Sequence, residues 1–413
     1  MMKLYNIMEI TDTDAINYQE IDYDCFDDFL CEQHEGNLLR GIYGYGFEKP
    51  SQIQAKGIKP ILDGRDLIAQ AQSGSGKTGA FTLASIAKVD AKINKPQVII
   101  VAPTRELALQ IAGVAKELAK YTNIKILECI GQNGMNAITN LKHALTSHIL
   151  VGTPGRLVDL VEKDKKLLNN LKLFVLDEAD VLLGPDFVAQ IYMIISKLPS
   201  TTQVALFSAT YLTETLNITS KFMKNPVTIL VDNEKVSVDI IKNYFVDIEK
   251  EEYKYAVLVE LYQKVSVCQA VIFVNHIKKA IDVTERLRYD GHAVGIIHKN
   301  LTNIERQEVL TNFRRSQTRI LVATDIISRG IDVQQVGLVI NYDVPFEAEQ
   351  YIHRVGRSGR YGKIGVAITL TARNDYRNMG NIERKYNIRF VPLPSLEDVN
   401  NYLTGMKGYT CKD

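Results

Sequence analysis

A chain of 413 residues, 46% hydrophobic and 23% charged, is long enough for two domains and has the balance of an ordinary globular protein. A formal net charge of +1 excludes a bulk basic field, so any polyanion must be held by individually placed residues. Five scattered cysteines, an odd number with no CxxC pair, argue against a disulfide framework or a cysteine zinc site and for a reducing compartment.

Residues 1–24 carry Glu9, Asp12, Asp14, Glu20, Asp22 and Asp24 against Lys3 and read as an acidic, flexible arm. From about residue 40, strand-like runs such as "QVIIVAP", "HILVGTP", "LFVLDEAD" and "QVALFSAT" alternate with helical patterns such as "RELALQIAGVAKELAKY" and "FVAQIYMIISKL". Alternation of this kind predicts βαβ units and a parallel sheet covered on both faces. The polar stretch "VDNEKVSVD", 231–239, breaks the rhythm and reads as a linker. The alternation then resumes in "AVIFVN", "AVGIIH", "RILVATD", "LVINYDV" and "GVAITLT". The expected organisation is two α/β domains, 25–230 and 240–400, with a tail at 401–413. No apolar run approaches a membrane span and no signal pattern opens the chain, which makes the cytoplasm the expected compartment and the nucleus the alternative.

The stretch "AQSGSGKT", 71–78, suits a phosphate loop. Ser73, Gly74, Ser75 and Gly76 allow the backbone to wrap around phosphates, and the following helix aims its N-terminus at them. Lys77 can reach the terminal phosphates and the Thr78 hydroxyl can ligate magnesium. The general pattern begins with Gly, and Ala71 stands there instead. About one hundred residues on, "VLDEAD" ends a strand in two acids. Asp177 would hold Mg2+ and Glu178 would orient and deprotonate an attacking water. These are the parts of a nucleoside triphosphatase.

"DEAD" at 177–180, "SAT" at 208–210 and "HRVGRSGR" at 353–360 resemble the motifs of the DEAD-box RNA helicases. The resemblance runs from about residue 26 to about 400. It takes in "GFEKPSQIQ", "PTRELA", "TPGR", "SRGID" and "VINYD", in family order and spacing. Within the family, "LLRGIYGYGFEKPSQIQ" and "RGIDVQQVGLVINYDVP" are most similar to the translation initiation factor 4A group. The resemblance implies two RecA-like, doubly wound domains, ATP and Mg2+ as cofactors, RNA as partner, and a helical-repeat scaffold of the initiation factor 4G type. The protein alone is expected to be a monomer.

It also implies roles for particular residues. Gln54 can make two hydrogen bonds to the edge of adenine and Phe47 can stack on the ring. An upstream aromatic is Phe26 by sequence match or Phe29 by spacing. Arg357 and Arg360 match arginine fingers that the second domain brings to the transferring phosphate. His353 would connect them to the rest of the interface, Tyr361 would cover adenine, and Asp332 would contact the sugar. RNA-backbone contacts fall on Thr104, Arg105, Gly131, Thr153 and Arg156 in the first domain, and on Asn275, Arg306, Thr324 and Arg329 in the second. Ser208 and Thr210 would link the triphosphate site to closure around RNA.

Some positions depart from the family pattern: Gln132 and Lys299 replace glycines, Asn303 a Gln, Ser328 an Ala and His276 a Thr. They leave two readings open, altered RNA coupling or equivalent contacts made by other groups. The functions carried forward are an ATP-dependent RNA helicase, an ATP-dependent RNA clamp in a larger assembly, and a regulatory decoy with weak RNA coupling.

Overall fold

Strands of two to seven mostly apolar residues supply two sheets. Strands β1 (Leu67–Gln70), β2 (Val98–Val101), β3 (Ile126–Cys129), β4 (Ile149–Gly152), β5 (Leu173–Asp177), β6 (Gln203–Ser208) and β7 (Val227–Leu230) form the first, in the order β3-β4-β2-β5-β6-β1-β7. Strands β8 (Ile241–Asp247), β9 (Ala270–Phe273), β10 (Val294–Ile297), β11 (Ile320–Ala323), β12 (Leu338–Asn341), β13 (Gly365–Thr371) and the two-residue β14 (Val391–Pro392) form the second, in the order β10-β11-β9-β12-β13-β8-β14. Every pairing in both sheets is parallel. This is the computed structural model of the chain, and it describes residues 17–20, 23–30, 36–71, 74–131, 137–209, 219–231, 241–265, 269–325, 336–356, 358 and 365–394.

The two orders are one permutation, in which β8 occupies the place of β1 and β12 that of β5. The central strands are buried on both faces, as parallel strands must be. Their side chains alternate between two cores: Val98 and Ile100 pack into one layer, Ile99 and Val101 into the other. The helix Arg105–Leu118 buries Leu107, Ala108, Ile111, Ala112, Ala115 and Leu118, one stripe at helical spacing. Thr104 caps it, its hydroxyl accepting from the Leu107 N–H at 3.3 Å. Among the described residues, no helix is long and apolar enough to cross a membrane.

The sheets follow the alternation in the sequence, with two differences. First, β1, β3, β7, β8 and β14 are strands that the runs quoted above do not include. Of these, β3 and β7 are partly exposed strands at the two edges of the first sheet. Second, residues 17–20 do not belong to a flexible arm. Tyr18 is 7% exposed, packs into the first core and donates its hydroxyl to Asp63 at 3.0 Å, while Gln19 donates to the Thr228 carbonyl at 2.9 Å. A single anchoring aromatic leaves no periodic trace in an acidic stretch. The rest of the arm's first sixteen residues, linker residues 232–239 and the tail at 401–413 lie outside the described residues.

Candidate active site and nucleic-acid interface

At the end of β1 the chain turns into the helix Lys77–Lys88. Gly74 and Gly76 sit in the left-handed region, at φ 83° and 103°, where a side chain is strained. Close approach also demands glycine. A Cβ on Gly76 would lie 2.6 Å from Ser51 Oγ, and one on Gly79 would lie 2.4 Å from Gln54 Nε2. The segment 47–54 therefore lies directly on the loop. Buried Gln54 accepts from the Ser51 N–H at 2.8 Å and donates to the Gly76 carbonyl at 3.3 Å. Its carboxamide keeps one N–H and one acceptor lone pair for a further partner. The Phe47 ring lies beside Gly79 and stacks on the ring of Phe26, centroids 6.1 Å apart and planes at 21°. Phe26 is fully buried and Phe29 half-buried behind it, so the ring that supports Phe47 is Phe26. Lys77 donates to the Ala71 carbonyl, and Thr78 follows it in the first helical turn. The Ser75 hydroxyl is buried without a hydrogen-bond partner. Ser73 lies outside the described residues.

Strand β5 delivers the acids. Asp177, 4% exposed, accepts from the Glu178 N–H at 3.0 Å. Burial, then the neighbouring Glu178 charge, push its carboxyl up to about 7, while the Lys77 ammonium pulls it back. Glu178 itself has φ 51°, a left-handed backbone for a non-glycine residue, and its Oε2 is buried without a partner. A buried acid pair of this kind fits a hard cation. No group of three His, Cys, Asp or Glu side chains among the described residues is arranged to hold a metal. A cation here would take Thr78 and Asp177 as its protein ligands and complete its shell with phosphate oxygens and water, which is how magnesium is usually bound.

Strand β6 lies between β5 and β1, with Phe207 opposite Asp177 and Ser208 opposite Gln70. That order places the Ser208 hydroxyl to donate to Asp180 Oδ1 at 2.9 Å. The other oxygen of Asp180 lies 3.2 Å from Nε2 of His353, a second-domain residue only 2% exposed. Ser208, Asp180 and His353 thus run from the triphosphate half of the first sheet into the second domain. Thr210 lies outside the described residues, as do Asp332, Arg357, Arg360 and Tyr361.

One residue of this region was not singled out from the sequence. Arg354 is fully buried. It forms a two-pronged pair with Asp325, one bond at 2.6 Å, and donates to Asn275 Oδ1 at 2.6 Å, to the Asp343 carbonyl at 2.7 Å and to Asn341 Oδ1 at 3.4 Å. It joins the ends of β9, β11 and β12. Inside a basic run such as "HRVGRSGR" an arginine reads as surface, and only the strand order shows that this one points inward. Asn275, assigned to RNA, donates from its amide nitrogen to the Val344 carbonyl at 2.9 Å and accepts from Arg354 at its Oδ1. Its carboxamide is held within the second domain.

The remaining candidates collect at the ends of β2, β3 and β4, where Val101 and Cys129 both lie opposite Gly152. Arg105 Nη1 lies 3.6 Å from the Cβ position of Gly131. Across the cleft, Arg306 lies 3.7 Å from Glu106 and donates to the Lys299 carbonyl at 2.7 Å, while its Nε is buried without a partner. Burial, opposed by Glu106 and reinforced by the like charge of Arg306, lowers the pKa of Arg105. Two guanidinium groups from opposite domains therefore share one region, an arrangement that a polyanion relieves. Thr153 occupies an N-cap position with no cap bond from its hydroxyl, and Thr324 Oγ1 is buried without a partner. Arg156 pairs with Asp159. His276 occupies the N-cap position of the helix Ile277–Tyr289 with no cap bond from its side chain, its ring 5.8 Å from exposed Phe346. Arg329, Gln132, Ser328 and the side chain of Asn303 lie outside the described residues.

Comparison with known proteins agrees with this geometry. Residues 51–218 match the DEAD/DEAH box helicase model and residues 253–362 the helicase conserved C-terminal domain. The chain is 46% identical over 379 residues to ATP-dependent RNA helicase eIF4A of Saccharomyces cerevisiae, covering 92% of this chain and 94% of the relative. It is 42% identical to eukaryotic initiation factor 4A of Caenorhabditis elegans, covering 94% of this chain and 96% of the relative. Among solved structures, S. cerevisiae Dbp5 bound to RNA and ADP BeF3 matches with a TM-score of 0.83 at 33% identity, covering 93% of this chain and 99% of that one. A DEAD box protein of Methanococcus jannaschii matches at 0.54 and 34% identity, covering 91% of this chain and 100% of that one. With its phosphate loop, its buried acids and both helicase domains matched, this chain belongs to the DEAD/DEAH box helicase family.

Proposed function

We propose that the protein is an ATP-dependent RNA helicase of the initiation factor 4A type, acting in translation initiation. The observation that carries this reading is the Ser208–Asp180–His353 line, which ties the triphosphate site to the second domain. Gln54 and Phe47 select adenine, and Gly74, Ser75, Gly76 and Lys77 hold the phosphates. Mg2+, held by Thr78 and Asp177, would neutralise charge on the phosphates. Glu178 holds the attacking water and takes its proton. Arg357 and Arg360 approach the transferring phosphate from the second domain when the two close.

RNA is gripped along its backbone by Thr104, Arg105, Gly131, Thr153 and Arg156 on one side, and by Arg306, Thr324 and Arg329 on the other. A strand bent by that grip no longer pairs, and a short duplex opens locally. Hydrolysis and phosphate release reopen the cleft. The likeness in shape to the Dbp5 complex supports the reading that the domains lie here in their closed relation. A helical-repeat scaffold of the initiation factor 4G type is the proposed partner, a monomer the proposed state alone, and the cytoplasm the proposed compartment.

ATP hydrolysis measured with and without single-stranded RNA, with Glu178→Gln as the blank, tests the function. We expect RNA to stimulate turnover and the Gln variant to lose about 10²–10⁴-fold while retaining ATP binding. Turnover indifferent to RNA, with no ATP-dependent RNA binding, overturns the helicase reading and favours the decoy or a partner-activated clamp.

A further inference from the structure

The two sheets share one strand order, so each position in the first domain has a counterpart in the second. The counterpart of the phosphate loop follows β8. Lys77 and Lys254 each stand seven positions past the end of their strand, and each is the first residue of the next α-helix, Lys77–Lys88 and Lys254–Lys264, the second preceded by a single 3-10 turn, Glu251–Tyr253. Each also faces an acid from the strand two places along its sheet: Lys77 acts on Asp177 of β5, and Lys254 lies 3.7 Å from Asp343, just past β12. A cavity of about 410 Å³ lies at this place in the second domain.

The loops differ in chemistry. The first has glycines at 74 and 76, which free its backbone to wrap an anion. The second, Ile248 to Tyr253, has no glycine and carries Glu249, Glu251 and Glu252. Glu251 is half-exposed, and its carboxylate lies between two lysines. One of its oxygens lies 2.9 Å from the ammonium of Lys254, which is 1% exposed, and the other lies 2.7 Å from Lys279. Asp375 at 3.4 Å completes the surroundings of Lys254, and Asp343 also pairs with Lys279 at 2.7 Å. A carboxylate bridging two ammonium groups makes the contacts that two phosphate oxygens would make.

We propose that the second domain retains an oxyanion site at the counterpart of the phosphate loop, and that the Glu251 carboxylate fills it from within. The second domain thereby keeps a lysine at this place without competing for nucleotide. This does not depend on the RNA-helicase reading.

The test is calorimetric titration of the full chain with inorganic pyrophosphate, with the first site silenced by Lys77→Ala. We expect no saturable binding in that background. Adding Glu251→Gln should produce saturable binding at least tenfold tighter than the weakest binding the titration can detect, and adding Lys279→Gln to that variant should abolish it. Asp375→Asn, which leaves Glu251 in place, should confer none. If the Gln variant melts early, Glu251→Asp, one methylene shorter, should give a smaller gain. The proposal is overturned if a folded Gln or Asp variant binds no more pyrophosphate than its parent. It is equally overturned if the gain survives Lys279→Gln or appears in Asp375→Asn.

Discussion

At the scale of single residues, the site depends on side chains that do two jobs. Gln54 donates to the Gly76 carbonyl while keeping hydrogen-bonding capacity, so the base recognition proposed for it would be linked to loop shape through one amide. Arg354 shows the same economy. Its guanidinium joins Asp325, Asn275, Asn341 and the Asp343 carbonyl, immediately beside His353 in the chain. Removing one member of a buried pair costs about 3–5 kcal/mol because the other charge stays buried. We expect Arg354→Met to lower the stability of the second domain by that amount, and Arg354→Lys to lose less because it keeps the charge without the planar fork. Hydrogen exchange at β9, β11 and β12 in the full chain, compared with β2, β4 and β5, measures it. Equal protection of both sheets in the Met variant would contradict the assignment.

At the scale of elements, two contacts decide how the first domain holds together. The helix Asn37–Tyr45 crosses the end of the helix Arg105–Leu118 so closely that a Cβ on Gly41 would lie 2.0 Å from the Leu118 carbonyl oxygen. Backbone cannot yield as a side-chain tip can. We expect Gly41→Ala to cost about 3 kcal/mol, the upper end for overpacking, read as a drop in urea midpoint.

The second contact is His148, buried at the start of β4, whose Nδ1 accepts from the Lys125 N–H at 2.8 Å. Burial, with help from the Lys125 charge, holds its pKa below the ordinary value of 6.5. The unfolded chain therefore takes up this proton first as pH falls. The stability is present above about pH 6.5 and is lost as pH falls through the lower folded value, no more steeply than about 1.4 kcal/mol per pH unit. His148→Gln keeps an acceptor and removes the titration. Melts of the two proteins between pH 5 and 7.5 should converge at low pH, and parallel curves would refute the role.

At the scale of the whole molecule, the contacts between domains include two polar ones: Asp180 with His353, and Glu106 with Arg306. Interfaces of this kind open readily, which suits a cycle of closure and release. Losing the partner of a buried hydrogen-bonding group costs about 1–3 kcal/mol. His353→Ala should therefore raise the RNA concentration needed for closure by about 5–150-fold, while leaving nucleotide affinity of the open chain nearly unchanged. Energy transfer between dyes on the two domains, titrated with RNA in a non-hydrolysable ATP analogue, reports it. An unshifted titration would remove His353 from the closing interface.

The sequence by itself determined the alternation of strands and helices, the phosphate loop at 71–78, the acids at 177 and 178 and the order of the family motifs. These are local: they follow from periodicity, from glycine spacing and from short runs whose chemistry needs adjacent residues. Only the tertiary structure decided which distant groups meet. That Tyr18 is an anchor, that Phe26 rather than Phe29 backs Phe47, that Asn275 is bound by Arg354 and that Asp180 reaches His353 all depend on strand order and on which face a residue takes. The same holds for Lys254, whose place opposite Asp343 exists only because β8 and β12 repeat the positions of β1 and β5. A residue's type is written in the chain, but its partner is set by burial and by the closing of loops across many residues, which no local pattern records.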